Sequence, residues 1–361
     1  MTRREEVEQK RQQVRALLKA HSAEGILLTQ LGSFSWYTGG GSNYVVVSSQ
    51  EGVAPILVTS ERDYVIADRI EAPRIAEEEV VGLGFEIVDH PWYRPQDRAS
   101  LVEKLARGKL LTDTGKIGGE LARLRYSLNE NEIERYRLLG KDTAAALAGV
   151  CGSLEVGEAE FEIAARAAKG VYDIGATPVV VLIAVDDRIS KFRHPIPTPK
   201  KLQRYAMVVI CARKWGLIVS STRLVHFGPL PRELKQKHDA VVEVDATFIA
   251  NTIPGTRISD VFQCAVRAYE QAGYGQEWKL HHQGGATGYA GRDFKGTPDC
   301  EEVVQPNQAY AWNPSIAGTK SEDTIIATAS GQEILSLADD WPMIEVEVQG
   351  KILPRAAIAE R

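Results

Sequence analysis

Amphipathic helices and short apolar strands alternate through the first 125 residues of the chain. Residues 5–21 show helical periodicity, with apolar side chains on one face and charges elsewhere. The apolar run 25–29 has the length and composition of a buried strand, and further strands are predicted at 44–48 and 54–59. Because strands that alternate with helices usually form a sheet covered by those helices, this region is predicted to be an α/β domain.

The pattern changes near residue 125. Ser127 and Glu130 match a capping box, and a long helix is predicted over 132–150. We therefore divide the chain into domains 1–125 and 126–361. The second domain is predicted to mix helices with strands, the helices at 158–172 and 256–273 and the strands at 178–185, 206–212, 216–220, 309–312 and 324–329. The last stretch, 341–361, is predicted to form a closing strand and a frayed tail.

Composition excludes several classes of protein. A formal charge of −5, without clusters of Lys and Arg, argues against a nucleic-acid-binding surface. No apolar run approaches the roughly 20 residues that span a bilayer, and the charged N-terminus does not resemble a signal peptide. The four cysteines lie far apart and form no CxxC pair, which is typical of reduced thiols. We therefore expect a cytoplasmic protein that binds neither nucleic acid nor membrane.

Three segments of the second domain carry the polar residues that bear on function: 212–223, 281–289 and 312–324. In order and spacing they resemble the creatinase/prolidase/methionine aminopeptidase family, and shorter runs at 36–40, 154–160 and 252–260 strengthen the likeness. The resemblance implies an α/β N-terminal creatinase-like domain followed by an α+β domain with the pita-bread fold. It also implies a homodimer.

The same resemblance implies five metal-ligand positions, which the family fills with Asp, Asp, His, Glu and Glu. Four of them correspond here to Val209, Ser220, Asn313 and Glu322. The histidine position is ambiguous, because one alignment register places Gly285 there and another places His282. Valine, asparagine and serine do not supply the anionic oxygens that a pair of divalent cations requires. We therefore expect neither a metal nor another cofactor. A further histidine of the family's peptidases is also missing, and Arg292 stands near its place.

Creatinase shows what chemistry this family can perform without a metal, since it cleaves a C–N bond with a histidine as acid and base. His194 matches a pocket histidine of creatinase and prolidase, and an imidazole exchanges protons near neutral pH. His281 and His282 are further candidates for catalysis, although adjacent side chains of an extended segment point to opposite faces, so we expect one of them to reach the pocket. Glu322 completes the predicted catalytic set.

Four other residues are predicted to bind the substrate: Asn313, Arg223, Gln283 and Tyr44. Glu322 needs a partner in place of a metal, and the sequence leaves two open, a cationic group of the substrate or Arg223. Asn313 can exchange hydrogen bonds with a substrate. Tyr44 ends a stretch that corresponds to the part of creatinase contributed by the dimer partner, but this stretch has no arginine, so we expect a substrate other than creatine.

Three functions remain in view. The leading hypothesis is a metal-independent hydrolase or lyase that cleaves a C–N bond of a small nitrogenous compound. The first alternative is a catalytically inactive pita-bread protein that binds a partner. The second is an Xaa-Pro-type metallopeptidase with an unusual ligand set such as His281, His282 and Glu322, which we rank last because adjacent histidines are poorly placed to chelate one ion.

Overall fold

The computed structural model describes all 361 residues and divides them into two compact units. The first unit comprises Met1–Glu132 together with the turn Trp215–Leu217. The second unit comprises Ile133–Lys214 and Ile218–Arg361. The domain limits 1–125 and 126–361 stay a prediction. None of the helices combines the length and the apolar character that crossing a bilayer would require.

The first unit is an α/β fold built on one mixed sheet. Its helices and strands are, in chain order, α1 (Arg3–Ala20), β1 (Gly25–Gln30), α2 (Leu31–Tyr37), β2 (Glu51–Thr59), β3 (Asp63–Asp68), α3 (Ala72–Arg74), a π-helical turn (Ile75–Glu79), β4 (Glu86–His90), α4 (Gln96–Ala106), β5 (Leu110–Thr112) and α5 (Gly118–Leu124). The strand order is β4-β3-β2-β1-β5. Strands β1 and β2 are antiparallel, whereas β5 pairs with β1 in parallel, so the sheet is mixed as in many α/β folds.

Two local predictions in this unit are wrong. Residues 44–48 form no strand, and Val45 and Val46 are exposed rather than paired. The capping box lies two residues beyond the predicted pair: the Asn129 side chain accepts a bond from the Glu132 N–H, and the Glu132 carboxylate accepts one from the Asn129 N–H. The helix and the two other strands predicted in this unit are present as α1, β1 and β2.

The second unit contains most of the strands, and two of its elements begin with residues that belong to the first unit. Its elements are α6 (Glu130–Gly152), α7 (Glu160–Asp173), β6 (Thr177–Val185), α8 (Asp187–Lys191), β7 (Tyr205–Lys214), β8 (Leu217–His226), α9 (Arg232–Asn251), α10 (Ile258–Gln271), a 3-10 turn (Glu277–Leu280), β9 (Gly284–Thr287), β10 (Phe294–Lys295), β11 (Gln308–Trp312), β12 (Ser315–Ile316), β13 (Thr319–Lys320), β14 (Asp323–Thr328), β15 (Gly331–Ile334), β16 (Met343–Val348), β17 (Lys351–Ala356) and β18 (Ala359–Glu360). The two elements that begin in the first unit are α6 and β8. The sheets have the orders β10-β9-β11-β14-β15 and β18-β8-β7-β6, and β12-β13 and β16-β17 form two hairpins.

The core of the second unit lies where α9 and α10 pack on the sheet that contains β11. Trp312 is fully buried there, stacks on Phe248 at 4.4 Å between ring centroids, and donates its indole N–H to Thr252 Oγ1 at 2.9 Å. Burial of an aromatic side chain with its polar atom satisfied is a large stabilising contribution. Trp312 therefore anchors the end of β11, which Asn313 directly follows.

The C-terminus is not a frayed tail, contrary to prediction. β18 pairs in parallel with β8 through Ala359 and Glu360, and the Arg361 guanidinium donates to the Leu154 carbonyl at 2.7 Å. This pairing makes β18 an edge strand of the sheet that also contains β8, β7 and β6.

Two strands from different sheets bring the predicted motif segments together. The Ser220 N–H of β8 donates to Thr324 Oγ1 at 2.8 Å, and the Thr222 N–H donates to the Glu322 carbonyl at 3.1 Å. The Asn313 N–H in turn donates to the Gln283 carbonyl at 3.1 Å. All three segments singled out in the sequence thus meet in one region of the second unit.

Candidate active site

Three histidines form a cluster in the second unit. The ring centroid of His281 lies 4.9 Å from that of His194 and 4.8 Å from that of His282. The centroids of His194 and His282 are 5.4 Å apart. A nitrogen of each imidazole lies within 4.8 Å of a nitrogen of each of the others. The expectation that only one of His281 and His282 could reach this place is wrong. The His282 ring turns back toward its own chain, where Nδ1 accepts a bond from the Gly284 N–H at 3.3 Å.

Hydrogen bonds tie this cluster to the hairpin that begins at Ser315. His281 Nε2 lies 3.1 Å from His194 Nε2, and His281 Nδ1 lies 3.0 Å from Ser315 Oγ. Arg193 Nη1 donates to the same serine hydroxyl at 3.0 Å, and Arg193 also forms an ion pair with Glu277. The residue before His194 in the chain thus helps to fix the position of His281. No pattern in the sequence predicts a role for Arg193, Ser315 or Glu277.

Glu322 is buried, and its carboxylate is already satisfied by neighbouring residues. Oε2 accepts bonds from Lys320 Nζ at 2.7 Å and from Thr222 Oγ1 at 2.6 Å, and Arg292 Nη2 lies 3.6 Å from Oε1. Burial raises the pKa of Glu322, but the charges of Lys320 and Arg292 outweigh burial and bring the pKa below its usual value. The carboxylate is therefore ionised at neutral pH and held by two cations of the chain itself.

Neither partner considered for Glu322 in the sequence is the one found in the structure. Arg223 is 1% exposed and pairs with Asp323, its Nη2 lying 3.0 Å from Oδ1. The same guanidinium donates to the Ser336 carbonyl at 2.6 Å. Asp323 also pairs with Arg355, so these residues form a buried ionic network. Arg223 is thus engaged within the protein, which corrects its assignment to the substrate.

Gln283 and Asn313, also predicted to bind substrate, differ in whether the polar atoms of their side chains are already hydrogen-bonded within the protein. Gln283 uses both ends of its amide inside the protein, because Oε1 accepts from Tyr269 and Nε2 donates to the His281 carbonyl at 2.6 Å. Gln283 is therefore a structural support of the His281 segment rather than a residue free for substrate. Asn313 is 3% exposed, and its Oδ1 has no hydrogen-bond partner in the protein. Tyr44 belongs to the first unit, in the irregular segment before β2, and its role stays a prediction.

The environment favours the neutral form of all three imidazoles. Burial, and then the charge of Lys320, lowers the pKa of His281 to about 2. Burial followed by the charge of Arg292 lowers the pKa of His282 to about 4. Partial burial and Lys320 also lower the pKa of His194, although Glu322 acts in the opposite direction. At pH 7 the cluster therefore consists of uncharged rings that can both donate and accept hydrogen bonds.

The residues at the implied metal positions do not fit a pair of divalent cations. Val209 packs in an apolar cluster, and Ser220 is fully buried with its hydroxyl 3.1 Å from Cys211 Sγ. Gly285 has no space for an imidazole, because a Cβ there would lie 2.2 Å from the Phe294 carbonyl oxygen and its φ of +149° strongly favours glycine.

The charges lead to the same conclusion about the metal pair. Lys320 and Arg292 surround Glu322, which is the one carboxylate among the five positions. A divalent ion near Glu322 would have to displace or approach these cations, and a single carboxylate does not neutralise two such ions. The five implied positions therefore do not supply the ligands of a metal pair, and the three clustered histidines are the residues that could offer nitrogens to a single ion.

Comparisons with known proteins identify the fold and the family. The model of metallopeptidase family M24 matches residues 134–329, more than half of the 361-residue chain. An uncharacterised peptidase of Staphylococcus epidermidis is 26% identical over 235 residues, which cover 59% of this chain and 63% of that protein. The chain thus matches somewhat less than two thirds of the length of this curated relative.

Solved structures resemble the chain over nearly its whole length. An Xaa-Pro dipeptidase from Bacillus anthracis superposes with a TM-score of 0.76 at 17% identity, covering 98% of this chain and 100% of that one. The prolidase from Pyrococcus horikoshii gives a TM-score of 0.76 at 18% identity, with 92% and 99% covered. These matches confirm the predicted fold class, an N-terminal domain followed by a pita-bread domain. The names of the similar proteins agree better with the Xaa-Pro-type alternative than with the creatinase-like hypothesis. By its sequence and its fold, the chain belongs to metallopeptidase family M24.

Proposed function

We propose that this protein hydrolyses the C–N bond of a small peptide-like compound at the histidine cluster, without the family's metal pair. The observation that carries the proposal is the grouping of His194, His281 and His282, with nitrogens within 4.8 Å of one another, beside the Lys320–Glu322 ion pair. Membership of family M24 and the similarity to peptidases support an amide as the bond that is cleaved.

The cluster supplies the kind of group that amide hydrolysis needs. When water adds to the carbonyl carbon, negative charge develops on the carbonyl oxygen, and fixed hydrogen-bond donors stabilise that charge by about 3–4 kcal/mol for each well-placed donor. A neutral imidazole N–H performs this role when its pKa is lowered, because it donates without carrying a charge of its own. His194 is the exposed member of the cluster, so its ring is open to substrate.

The charges around the cluster support a substrate different from the cationic one that the sequence leaves open. The cationic side chains Lys320, Arg292, Lys295 and Arg193 outnumber the carboxylates Glu322 and Glu277. Since Glu322 already has its cations, it does not need a positive group from the substrate. An uncharged amide that develops negative charge during reaction, or a substrate that carries a carboxylate, matches this environment better.

Room for a small substrate exists beside two of the three histidines, His281 and His282. A cavity of about 350 Å³ is lined by His281 and His282, by Lys295, and by the rings of Phe262 and Trp278. Its size lies within the range of small-molecule pockets, and its mixture of aromatic and cationic side chains suits a compact molecule with an apolar part. Homodimer formation and a cytoplasmic location stay predictions.

Turnover of a defined panel in protein freed of metals by a chelator tests the proposal. The panel contains Xaa-Pro and other dipeptides, together with guanidino and amidino acids, and cleavage is followed by mass spectrometry. We expect a dipeptide-like compound to be hydrolysed, and His194→Ala to lower kcat/KM by roughly 10²–10³. His21→Ala, in the first unit, is the matched control and should retain the rate.

The other outcomes separate the alternatives. Activity that appears only after metal is restored and is unaffected by His194→Ala would overturn the proposal in favour of a metallopeptidase. Binding of panel members without any turnover would overturn it in favour of an inactive binding protein.

A further inference from the structure

The hydrogen bonds around Ser315 determine which nitrogen of His281 carries a proton. Arg193 is only a donor, so its bond to Ser315 Oγ occupies a lone pair of that oxygen. Ser315 is buried, and His281 Nδ1, at 3.0 Å, is the one acceptor that the protein places beside its hydroxyl, so the serine proton is donated to that nitrogen. A neutral imidazole that accepts at Nδ1 carries its hydrogen on Nε2. His281 thus donates from Nε2.

The same reasoning extends to His194. Its Nε2 lies 3.1 Å from the protonated Nε2 of His281 and must accept that hydrogen bond. The remaining proton of His194 then sits on Nδ1, for which the protein offers no acceptor. An exposed ring therefore presents a free N–H group at the edge of the cluster.

A different hydrogen bond also leaves His282 with an N–H group that has no acceptor in the protein. Its Nδ1 accepts the Gly284 N–H at 3.3 Å, which leaves the hydrogen of the neutral ring on Nε2. No protein atom accepts a bond from that nitrogen. Two rings whose centroids are 5.4 Å apart, His194 and His282, thus both hold a hydrogen that needs an acceptor.

We propose that the cluster is an oxyanion-binding site, in which His194 Nδ1–H and His282 Nε2–H bind the carboxylate of a small molecule. Ser315 and Arg193 are positioning residues, because they fix the donor form of His281 and through it that of His194. The cations Arg292 and Lys295 add a favourable field for a negative ligand.

This inference deepens the proposed function and rests on it for its biological meaning. Hydrolysis of an amide produces a carboxylate and an amine, so donors that stabilise the oxyanion of the reaction also bind the carboxylate product. We therefore expect the carboxylic-acid products to inhibit hydrolysis by binding at the same donors. The binding site itself can be tested without any knowledge of the substrate.

Nitrogen NMR of protein labelled with 15N only in histidine measures the predicted tautomers directly. The chain has seven histidines, so the spectrum is simple. Two of them serve as internal references, because His226 Nδ1 faces the Gly228 carbonyl and His238 Nε2 faces the Ala356 carbonyl, so each carries its hydrogen on that nitrogen. We expect His281 and His282 to match the His238 pattern and His194 to match the His226 pattern.

Titration with acetate tests the binding step, with acetamide as a neutral ligand of the same shape. At constant ionic strength in chloride, acetate should shift the signals of His194 and His282, whereas acetamide should bind at least about tenfold more weakly. The signals of His21, His90, His226 and His238 should stay unchanged and so report an intact fold.

Two substitutions test the positioning role. Ser315→Ala removes the donor to His281 Nδ1, so we expect His281 to change tautomer and acetate affinity to fall about tenfold. Ser315→Thr keeps the hydroxyl and should restore both the tautomer and the affinity.

A pair of lysine variants tests the contribution of positive charge. Lys295→Gln should weaken acetate binding severalfold, whereas Lys351→Gln, which changes an exposed lysine on β17, should leave acetate binding unchanged.

The outcomes are distinct from those of the proposed function. A His281 that carries its hydrogen on Nδ1 in the unmodified protein would overturn the inference, as would equal binding of acetate and acetamide. If turnover is found but acetate does not bind, the inference fails and the proposed function stands. If acetate binds as described but no panel compound is hydrolysed, the oxyanion site stands and the proposed function fails.

Discussion

Lys320 Nζ lies 2.7 Å from Glu322 Oε2, and both side chains are almost completely buried. The two residues are separated by one position in the chain, so an extended backbone places them on the same side. The negative charge of Glu322 is therefore neutralised by a lysine of the same segment and does not require a metal ion or a ligand. This relationship explains how the fold keeps a buried glutamate at a position where the family resemblance implies a metal ligand.

Lys320→Met should destabilise the protein strongly. The substitution leaves Glu322 buried without its closest cation, and removal of one partner of a buried pair typically costs about 3–5 kcal/mol. Urea unfolding at pH 7 measures the change in the free energy of unfolding.

The double variant Lys320→Met/Glu322→Gln provides the control. It removes both charges and leaves an amide that can still accept the Thr222 hydrogen bond, so it should recover about 2 kcal/mol of the loss. A double variant as unstable as Lys320→Met would show that the lysine acts through packing and not through its charge.

The candidate site was predictable from sequence only in part. His194, His281, His282 and Glu322 were singled out, and the structure brings the three histidines together. The spacing of Lys320 and Glu322 was a usable signal, because residues two apart on a strand share a face. No such signal exists for Ser315 and Arg193, whose roles depend on hydrogen bonds between segments more than 100 residues apart in the chain.

The fold shows the same difference between features that depend on local sequence patterns and features that depend on contacts between distant segments. Helices and strands with clear periodicity, such as α1 and β1, were predicted close to their observed bounds. No element was predicted at α9, where valines and other β-branched residues lower the intrinsic helix propensity. Burial of its apolar face stabilises α9, and this tertiary contribution is not visible in local sequence. The C-terminal pairing with β8 depends on tertiary contacts in the same way.

Gly285→Ala should destabilise the protein by more than about 3 kcal/mol. A Cβ at this position would lie 2.2 Å from the Phe294 carbonyl oxygen, and the backbone has a φ of +149°. Gly291→Ala is the matched control, since a Cβ there meets no atom within 4 Å, and its effect should stay within about 0.5 kcal/mol. Thermal unfolding of both variants measures the difference. A mild effect of Gly285→Ala would show that the Phe294 carbonyl can move away from a Cβ at this position.

His238 should make the protein less stable in acid. Its ring is buried between Thr319 Oγ1 at 2.7 Å and the Ala356 carbonyl at 2.9 Å, and burial lowers its pKa to about 4. The folded protein therefore binds fewer protons than the unfolded chain below the ordinary value near 6.5. The contribution of His238 is complete above that pH and is lost progressively as pH falls toward 4.

Comparison of the unmodified protein with His238→Gln isolates this effect. Glutamine does not titrate, so between pH 7.5 and pH 5 the unmodified protein should lose about 2 kcal/mol more of its free energy of unfolding than the variant does. Urea unfolding at the two pH values gives the double difference, in which the other titrating groups cancel. Equal losses in the two proteins would mean that the ring of His238 can be protonated without cost in the folded state.

Removal of metal should leave the protein unchanged. A tightly bound ion present at 100 times its Kd stabilises a folded protein by about 2.7 kcal/mol, which corresponds to several degrees in Tm for a chain of this size. Because Val209, Ser220 and Asn313 offer no anionic ligand and Lys320 and Arg292 hold Glu322, we expect EDTA to change Tm by less than about 1 °C. Elemental analysis of the untreated protein should accordingly find far less than one equivalent of manganese, cobalt or zinc. A fall in Tm of about 5 °C or more on chelation, reversed by adding one of these ions back, would contradict the electrostatic argument and would point to a metal held by the histidine cluster.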